Sequence, residues 1–348
     1  MKKTSRTVKY GLFVVLISGV CLLLLETGVR LYSALAFPKM MVLDEVLGWR
    51  HASNASKVFV NEDGTRASVV QGRHGHRGSQ HDDQKIPGKQ RVLFLGDSFT
   101  EGTQVNEDEL FTSIIEKSNP RFEIINAGVG GYGTVQEYLY LMNGGLQLHP
   151  DIVVLMVYEN DLVDNCLSYF PSMGPRPYGE WNGGELRVVE GLDWNGFEKF
   201  GLPVPFQEWF HTNSFLYYFL NTRIYQVIRG ETLKELEKQD LRRIGGCRKL
   251  EIFAGIVKRM VTALHGVGSD MAIVAIPTSK DVSAGSSQVN SGIMKVCAGE
   301  SLHCLDLLSP LVQAASRGEK PYFAVDIHWT KVGHQVAARA ISPFLVSF

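Results

Sequence analysis

The sequence predicts an α/β fold: a three-layer α/β/α sandwich around a five-stranded parallel sheet, preceded by a transmembrane helix. Two observations predict the sheet. Short, continuous apolar runs alternate with helical patterns, and these runs lack polar alternation, as expected of strands buried on both faces. A third observation predicts the helix, because an uncharged run from Tyr10 to Leu25 follows a basic N-terminus. A chain of 348 residues is long enough for one large domain or two ordinary ones.

The N-terminal segment is predicted to anchor the chain in a membrane. Four basic residues precede the apolar run: Lys2, Lys3, Arg6 and Lys9. Glu26 and Arg30 would lie near the far interface, so the span can extend to residue 37. The positive-inside rule makes residues 1–9 a cytoplasmic tail, residues 10–37 a signal-anchor, and the rest extracytoplasmic. The alternative is a signal peptide cleaved after Ala36, since Ala34 and Ala36 form an A-x-A site.

Charge excludes one class of partner. The chain carries 35 Lys+Arg and 36 Asp+Glu residues, so it has no basic field to hold a phosphate backbone. Nucleic acid is therefore not expected as a partner, whereas the lipid bilayer is.

Four cysteines follow the predicted span, and an extracytoplasmic compartment permits disulfides. They are Cys166, Cys247, Cys297 and Cys304. Cys297 and Cys304 are the favoured pair, and four free thiols are the alternative. No C-x-x-C motif occurs, so zinc or redox chemistry is not indicated.

Residues 38–88 are polar and contain glycine, which predicts a linker that packs onto the domain. His74, His76 and His81 lie in this segment. A surface loop is favoured over a metal site for these histidines.

The predicted domain covers residues 89–348. Its expected strands are Arg91–Leu95, Phe122–Ile125, Ile152–Val157, Met271–Ile276 and Leu302–Leu305. A helical pattern is expected at Leu110, Ile114 and Ile115. Four further helices are expected: from about Thr134 to Leu146, from about Leu250 to His265, near Ile293, and from Lys331 onward. Ligands of such sheets bind beyond the carboxyl ends of the strands.

An insertion at about residues 165–243 interrupts this alternation. It is rich in aromatic residues: Trp181, Trp194, Phe197, Phe206, Trp209, Phe210, Tyr217 and Tyr218. Packing of these side chains against one another is the favoured interpretation. Stacking on sugar rings and contact with the bilayer are the alternatives.

Reactive residues cluster at the predicted strand ends. Ser98 follows the first strand and begins a helix, which exposes its hydroxyl and directs its N–H toward a developing oxyanion. A serine needs a general base, and His328 can serve if Asp326 fixes its tautomer. In an extended segment, residues 326 and 328 lie on one face. The Gly131 N–H and the Asn160 amide could complete the oxyanion hole.

Four blocks around these residues resemble the SGNH/GDSL hydrolases, named for a Ser, a Gly, an Asn and a His. Here those residues are Ser98, Gly131, Asn160 and His328, in order and each after a predicted strand. The resemblance implies a flavodoxin-like, SGNH-type sheet and a serine esterase that needs no metal or organic cofactor. Many members carry an Asp three residues before the histidine, a position that is Val325 here.

The form Asp326-Ile-His-Trp329 is similar to that of membrane-linked relatives that acetylate exported polysaccharides. The resemblance therefore predicts an extracytoplasmic esterase acting on acyl esters, with acylated carbohydrate as a substrate class. A polysaccharide O-acetyltransferase with the same triad and a non-catalytic assembly or binding subunit are the alternatives.

Simpler interpretations of the same residues exist. Ser98 could be only a helix N-cap, His328 a core histidine, and Asn160 a turn residue. Residues 128–133 also fit a G-x-G-x-x-G dinucleotide fingerprint, but they follow the second strand instead of the first. The convergence of all four blocks favours the nucleophilic site over these alternatives.

Overall fold

The computed structural model describes residues 2–36, 39–78, 84–170, 173–190, 209–210, 213–220, 238 and 240–348. Its strands are β1 (Met41–Asp44), β2 (Gly48–His51), β3 (Ser56–Val60), β4 (Arg66–Val70), β5 (Gln90–Leu95), β6 (Phe122–Asn126), β7 (Ile152–Val157), β8 (Tyr169–Phe170), β9 (Gly174–Pro175), β10 (Tyr178–Asn182), β11 (Glu185–Val189), β12 (Asp270–Ala275) and β13 (His303–Asp306). Its α-helices are α1 (Lys2–Ala36), α2 (Ser98–Glu101), α3 (Phe111–Ser118), α4 (Thr134–Asn143), α5 (Glu159–Asp164), α6 (Phe215–Phe219), α7 (Lys249–His265), α8 (Ser279–Ala284), α9 (Gln288–Gly299), α10 (Leu308–Ser316) and α11 (Lys331–Val346). Two 3₁₀ turns cover Glu107–Glu109 and Gly145–Leu148.

The central sheet has five parallel strands in the order β13-β12-β7-β5-β6. Each strand lies within one residue of its predicted bounds, so the predicted sheet is confirmed. The first strand of the sheet, β5, lies between the second and the third, and this is the flavodoxin-like order. The winding of the chain therefore reverses between β5 and β7, which opens a crevice at their carboxyl ends.

Apolar cores cover both faces of the sheet. Leu93 and Leu95 of β5 point into a core shared with α4, α7 and α9. Val92 and Phe94 point to the opposite face, into a core shared with α3, α10 and α11. Because alternate residues of one strand are buried on opposite sides, the strand has no polar face. The three layers are therefore the predicted α/β/α sandwich.

Two hairpins, β1–β2 and β3–β4, occupy the segment between the N-terminal helix and the sheet. They pack onto the domain through buried Trp49 and Val69. In the loop that follows, His76 Nε2 contacts the Tyr140 hydroxyl at 2.6 Å. His81 lies outside the described residues.

The N-terminal helix α1 contains a stretch, Val8–Tyr32, that is long and apolar enough to cross a membrane. Its apolar side chains are exposed in the protein itself, as expected if lipid covers them.

The insertion is described in part. It contains the hairpins β8–β9 and β10–β11 and the short helix α6. Trp194, Phe197 and Phe206 lie outside the described residues. A disulfide joins Cys166 to Cys247, and a second joins Cys297 to Cys304, so the favoured pair is confirmed.

The two disulfides should differ in how much they stabilise the fold. They close loops with sequence separations of 81 and 7 residues, and a longer loop restricts the unfolded chain more. We expect C166A/C247A to lower the free energy of unfolding by about 4 kcal/mol and C297A/C304A by about 2 kcal/mol. Denaturant unfolding in detergent measures both, with C21A, on the exposed face of α1, as the control. The opposite ranking would contradict the loop-entropy argument.

Candidate active site

Ser98 lies in a tight turn between β5 and α2. A Cβ atom at Gly96 would approach Thr100 Oγ1 to 2.1 Å, so only glycine fits where the strand ends. Asp97 is the N-cap, because its carboxylate accepts the Phe99 N–H at 2.9 Å. The hydroxyl of Ser98 is therefore not the helix cap, and the simple N-cap interpretation of this residue is wrong.

A chain of hydrogen bonds links the serine to the two residues near the C-terminus. His328 Nε2 lies 2.7 Å from Ser98 Oγ, and His328 Nδ1 contacts the Asp326 carboxylate. The same carboxylate accepts the His328 backbone N–H at 3.0 Å. The imidazole therefore has one nitrogen on the serine and the other on a carboxylate, the arrangement that a general base requires.

Glu62, in the turn between β3 and β4, holds the loop that carries this pair. Its carboxylate accepts three consecutive backbone N–H groups: Ala324 at 2.6 Å, Val325 at 2.9 Å and Asp326 at 2.7 Å. Hydrogen bonds to an ionised acceptor are the strong ones. Sequence reasoning missed Glu62, since it lies 262 residues from Ala324 in a segment interpreted as a linker.

Replacing Glu62 with glutamine should impair turnover without unfolding the protein. The amide offers one acceptor where the carboxylate offers two, so the Asp326 loop loses part of its support. We expect kcat of ester hydrolysis to fall about 10-fold, because small displacements of reacting groups are costly. KM and the thermal midpoint should change little, and E62D should restore part of kcat. The control is R66Q, an exposed change on the same hairpin. An unchanged kcat in E62Q would contradict this role.

The glycine block after β6 lies beside Ser98. The Gly130 N–H donates to the Glu101 carboxylate at 2.9 Å, and the Gly130 carbonyl accepts the Trp49 indole N–H at 3.1 Å. Gly131 has a φ of +79°, and a Cβ there would come within 3.1 Å of the Phe170 ring. Among the described residues, the Gly131 N–H has no acceptor. It is therefore available for a ligand.

Asn160, the second residue of α5, follows the neighbouring strand β7. Its amide donates to the Asp164 carboxylate at 2.9 Å, one helical turn later. Burial raises the pKa of Asp97 to about 6, although hydrogen bonds from the Phe99 N–H and the Asn160 amide oppose the rise. Asn160 thus lies beside the residue that precedes Ser98. The i, i+4 spacing could have identified Asp164 from the sequence.

Buried carboxyl groups surround this part of the site. Burial raises the pKa of both Glu137 and Asp161 well above the usual range. Arg176 Nη1 lies 3.3 Å from Asp164 Oδ1. Burial raises the pKa of Asp164, although the charge of Arg176 opposes the rise. A raised pKa reduces the negative charge that a carboxyl group carries at a given pH, and Glu137 and Asp161 lie close enough to Asp97 to interact with it. Less negative charge there would oppose an oxyanion at Ser98 less strongly.

The aromatic residues behind the histidine are structural. Trp329 is buried and packs edge-on against Phe99 at 5.3 Å between ring centroids. His334 stacks on Phe111, and burial lowers its pKa to about 3, helped by the charges of Arg77 and His328. His334 is therefore neutral at physiological pH.

No family model and no curated protein matches the chain. Several solved structures are similar to this chain. One is a two-domain esterase active on acetylated mannans, co-crystallised with mannopentaose, at 14% identity and a TM-score of 0.41 over 75% of this chain and 50% of that one. This chain thus spans half of that esterase.

Two further structures are matched over almost their whole length. A protein from Desulfitobacterium hafniense, described as lipolytic and of the G-D-S-L family, is 13% identical, with a TM-score of 0.41 over 74% of this chain and 99% of that one. A variant of an acetyl xylan esterase from Geobacillus stearothermophilus is 11% identical, with a TM-score of 0.42 over 75% of this chain and 97% of that one.

Three of the four blocks follow strands of the sheet, and the fourth lies in a loop that returns to Ser98. Ser98 follows β5, Gly131 follows β6, Asn160 follows β7, and His328 lies in the loop before α11. The chain has an α/β/α fold around a five-stranded parallel sheet in the flavodoxin-like order.

Proposed function

We propose that this protein is an extracytoplasmic serine esterase that cleaves acyl esters, with Ser98, His328 and Asp326 as its triad. The observation that carries the proposal is the contact of His328 with both other side chains, at 2.7 Å to Ser98 Oγ. A simple N-cap serine or core histidine would not need this arrangement.

In the proposed mechanism, His328 Nε2 takes the proton of Ser98 as Oγ attacks the acyl carbon. The oxyanion is held by the N–H groups of Ser98 and Gly131 and by the Asn160 amide. His328 then gives its proton to the leaving alcohol oxygen, which releases the alcohol and leaves an acyl-serine. Water, deprotonated by His328, attacks the acyl carbon in the same way, and Ser98 regains its proton as the acid departs.

The proposed location rests on three features. The basic tail before α1 favours a cytoplasmic N-terminus. The apolar helix is long enough to span the bilayer. The two disulfides fit an oxidising compartment on the far side.

The substrate class that we propose is an acylated polysaccharide. Its support is the resemblance of the Asp326-Ile-His-Trp329 segment to enzymes that modify exported polysaccharides. The same resemblance supports a second candidate, an O-acetyltransferase in which a sugar hydroxyl takes the place of water. The esterase and the O-acetyltransferase would form the same acyl-serine and would differ in whether water or a sugar hydroxyl accepts the acyl group.

The experiment uses the full chain in detergent with p-nitrophenyl acetate and a fluorophosphonate. We expect turnover and one covalent adduct on Ser98. The absence of both would favour the non-catalytic subunit. Incubation with an acetylated oligosaccharide and an unacetylated acceptor then separates the two enzymes: free acetate indicates an esterase, and an acetylated acceptor indicates a transferase.

A further inference from the structure

The membrane-spanning helix carries two charged residues within its apolar stretch, and both contact the insertion. Glu26 Oε1 accepts the Phe215 N–H at 2.9 Å, and Glu26 Oε2 accepts the Leu216 N–H at 3.0 Å. Oε2 also accepts the Ser214 hydroxyl at 2.7 Å. An unpaired carboxylate within a span is costly, and these three donors satisfy it.

Arg30, one turn further along α1, completes the contact. Its Nε donates to Glu26 Oε1 at 2.7 Å, and its Nη2 donates to the Asn213 carbonyl. Its guanidinium lies 5.1 Å from the centre of the Phe215 ring. Arg30 thus donates to a backbone carbonyl of residues 213–216, and Glu26 accepts backbone N–H groups of the same stretch. Because both kinds of backbone group are bound, the contact fixes where this stretch lies on α1.

The Glu26 carboxylate also caps α6, because it accepts backbone N–H groups at the start of that helix. The first N–H groups of a helix have no partner within it. Ser214 is the N-cap of α6 and accepts the Tyr217 N–H at 3.1 Å. Glu26 accepts the N–H groups of Phe215 and Leu216, the first two residues of the helix. Without α1, these two donors would lose their acceptor.

The residues at this contact are suited to the edge of a bilayer. Glu26 lies six residues before Tyr32, the end of the apolar stretch, or about 9 Å along the helix. Residues 213–216, which carry these contacts, therefore meet α1 near the membrane surface. Trp209 is 59% exposed and packs edge-on against Phe210, which contacts Tyr217. Tryptophan and tyrosine are enriched at this depth.

We propose that residues 209–210 and 213–217 form a lipid-facing element at the bilayer surface, held on α1 by Glu26 and Arg30. The element and the helix then form one unit, and α1 is a permanent part of the protein instead of a cleaved signal. This inference does not depend on the proposed esterase activity. It replaces, for these residues, the expectation that the aromatic side chains serve only to pack against one another.

The test uses the full chain in phosphatidylcholine nanodiscs, with or without brominated acyl chains, which quench nearby tryptophan fluorescence. We expect quenching in the wild type to fall about two-fold or more in W209F, as for a tryptophan at the interface. W181F, a change in the β10–β11 hairpin, should leave it unchanged. Equal quenching of the wild type and W209F would overturn the lipid contact.

A second variant tests the role of the charged pair. E26Q/R30Q removes both charges from the apolar stretch of α1, which remains able to insert, and weakens its hold on residues 213–216. We expect this variant to lose the Trp209 component of quenching while its circular dichroism stays that of the wild type. Undiminished quenching would refute the anchoring role. The intact mass of protein extracted from membranes must include residues 1–36, and a chain that starts after Ala36 would overturn the proposal.

Discussion

Replacing Ser98 with alanine should abolish ester hydrolysis. The variant keeps the backbone N–H that would face an oxyanion but loses the oxygen that would form the acyl-enzyme. We expect kcat to fall by about 10⁴-fold or more, as for nucleophile deletions in serine hydrolases. KM should change little, because the acyl group still has its binding partners. Initial rates with p-nitrophenyl acetate, together with labelling by a fluorophosphonate, measure both effects.

The control for this variant is S118A, which removes a partly exposed hydroxyl that donates only within its own helix, to the Ile114 and Ile115 carbonyls. It should keep full activity and full labelling. If S98A retained more than a small fraction of turnover, or if the phosphonate still formed its adduct, the nucleophile would have to be another residue.

Replacing Asp326 with asparagine should have the next largest effect. The Asn side chain keeps an oxygen for the His328 backbone N–H, so the loop should keep its shape. Its NH₂ group, however, can donate to Nδ1 and favour the tautomer with a proton on Nε2, which cannot accept the serine proton. We expect kcat to fall by about 10³- to 10⁴-fold. Rates measured from pH 6 to pH 10 with the wild type and the variant test this expectation.

Val325 offers a matched control for Asp326. Its side chain is 86% exposed, and its N–H is held by Glu62 whatever the side chain is. V325A should therefore behave like the wild type, even though the resemblance to SGNH/GDSL hydrolases would put the triad acid at this position. A loss of only a few-fold in D326N would remove Asp326 from the triad.

The sheet could be predicted from the sequence because its strands carry a strong local signal. Runs such as Ile152–Val157 are apolar throughout and too short for a helix. The hairpins β3–β4 and β10–β11 lack such a signal, because their residues are half-exposed and mixed in polarity. The helix α10 was also missed, since it has only nine residues and contains Pro310. Short elements of this kind are set by tertiary packing.

The candidate site could be predicted from the sequence for a different reason. Parallel strands end at one edge of a sheet, so residues that follow different strands must converge there. This rule placed Ser98 near Asn160 without any knowledge of distances. The rule cannot predict Glu62, because its carboxylate comes from a hairpin outside the sheet. It also cannot predict the buried acidic groups around Arg176. The partner of Cys166 was also beyond sequence reasoning, because 81 residues separate it from Cys247.

The Cys166–Cys247 disulfide holds the two ends of the insertion close together. The two Cα atoms are 6.2 Å apart, so the stretch between them leaves the domain and returns to it at nearly one point. Within this stretch, Phe170, Arg176 and Leu186 pack on the domain, so residues 169–189 belong to the scaffold. Only the chain that follows them can change in length while the sheet keeps its geometry. The protein can therefore be regarded as a fixed α/β/α scaffold with one variable segment, which selection could refit to a new substrate or membrane without rebuilding the scaffold.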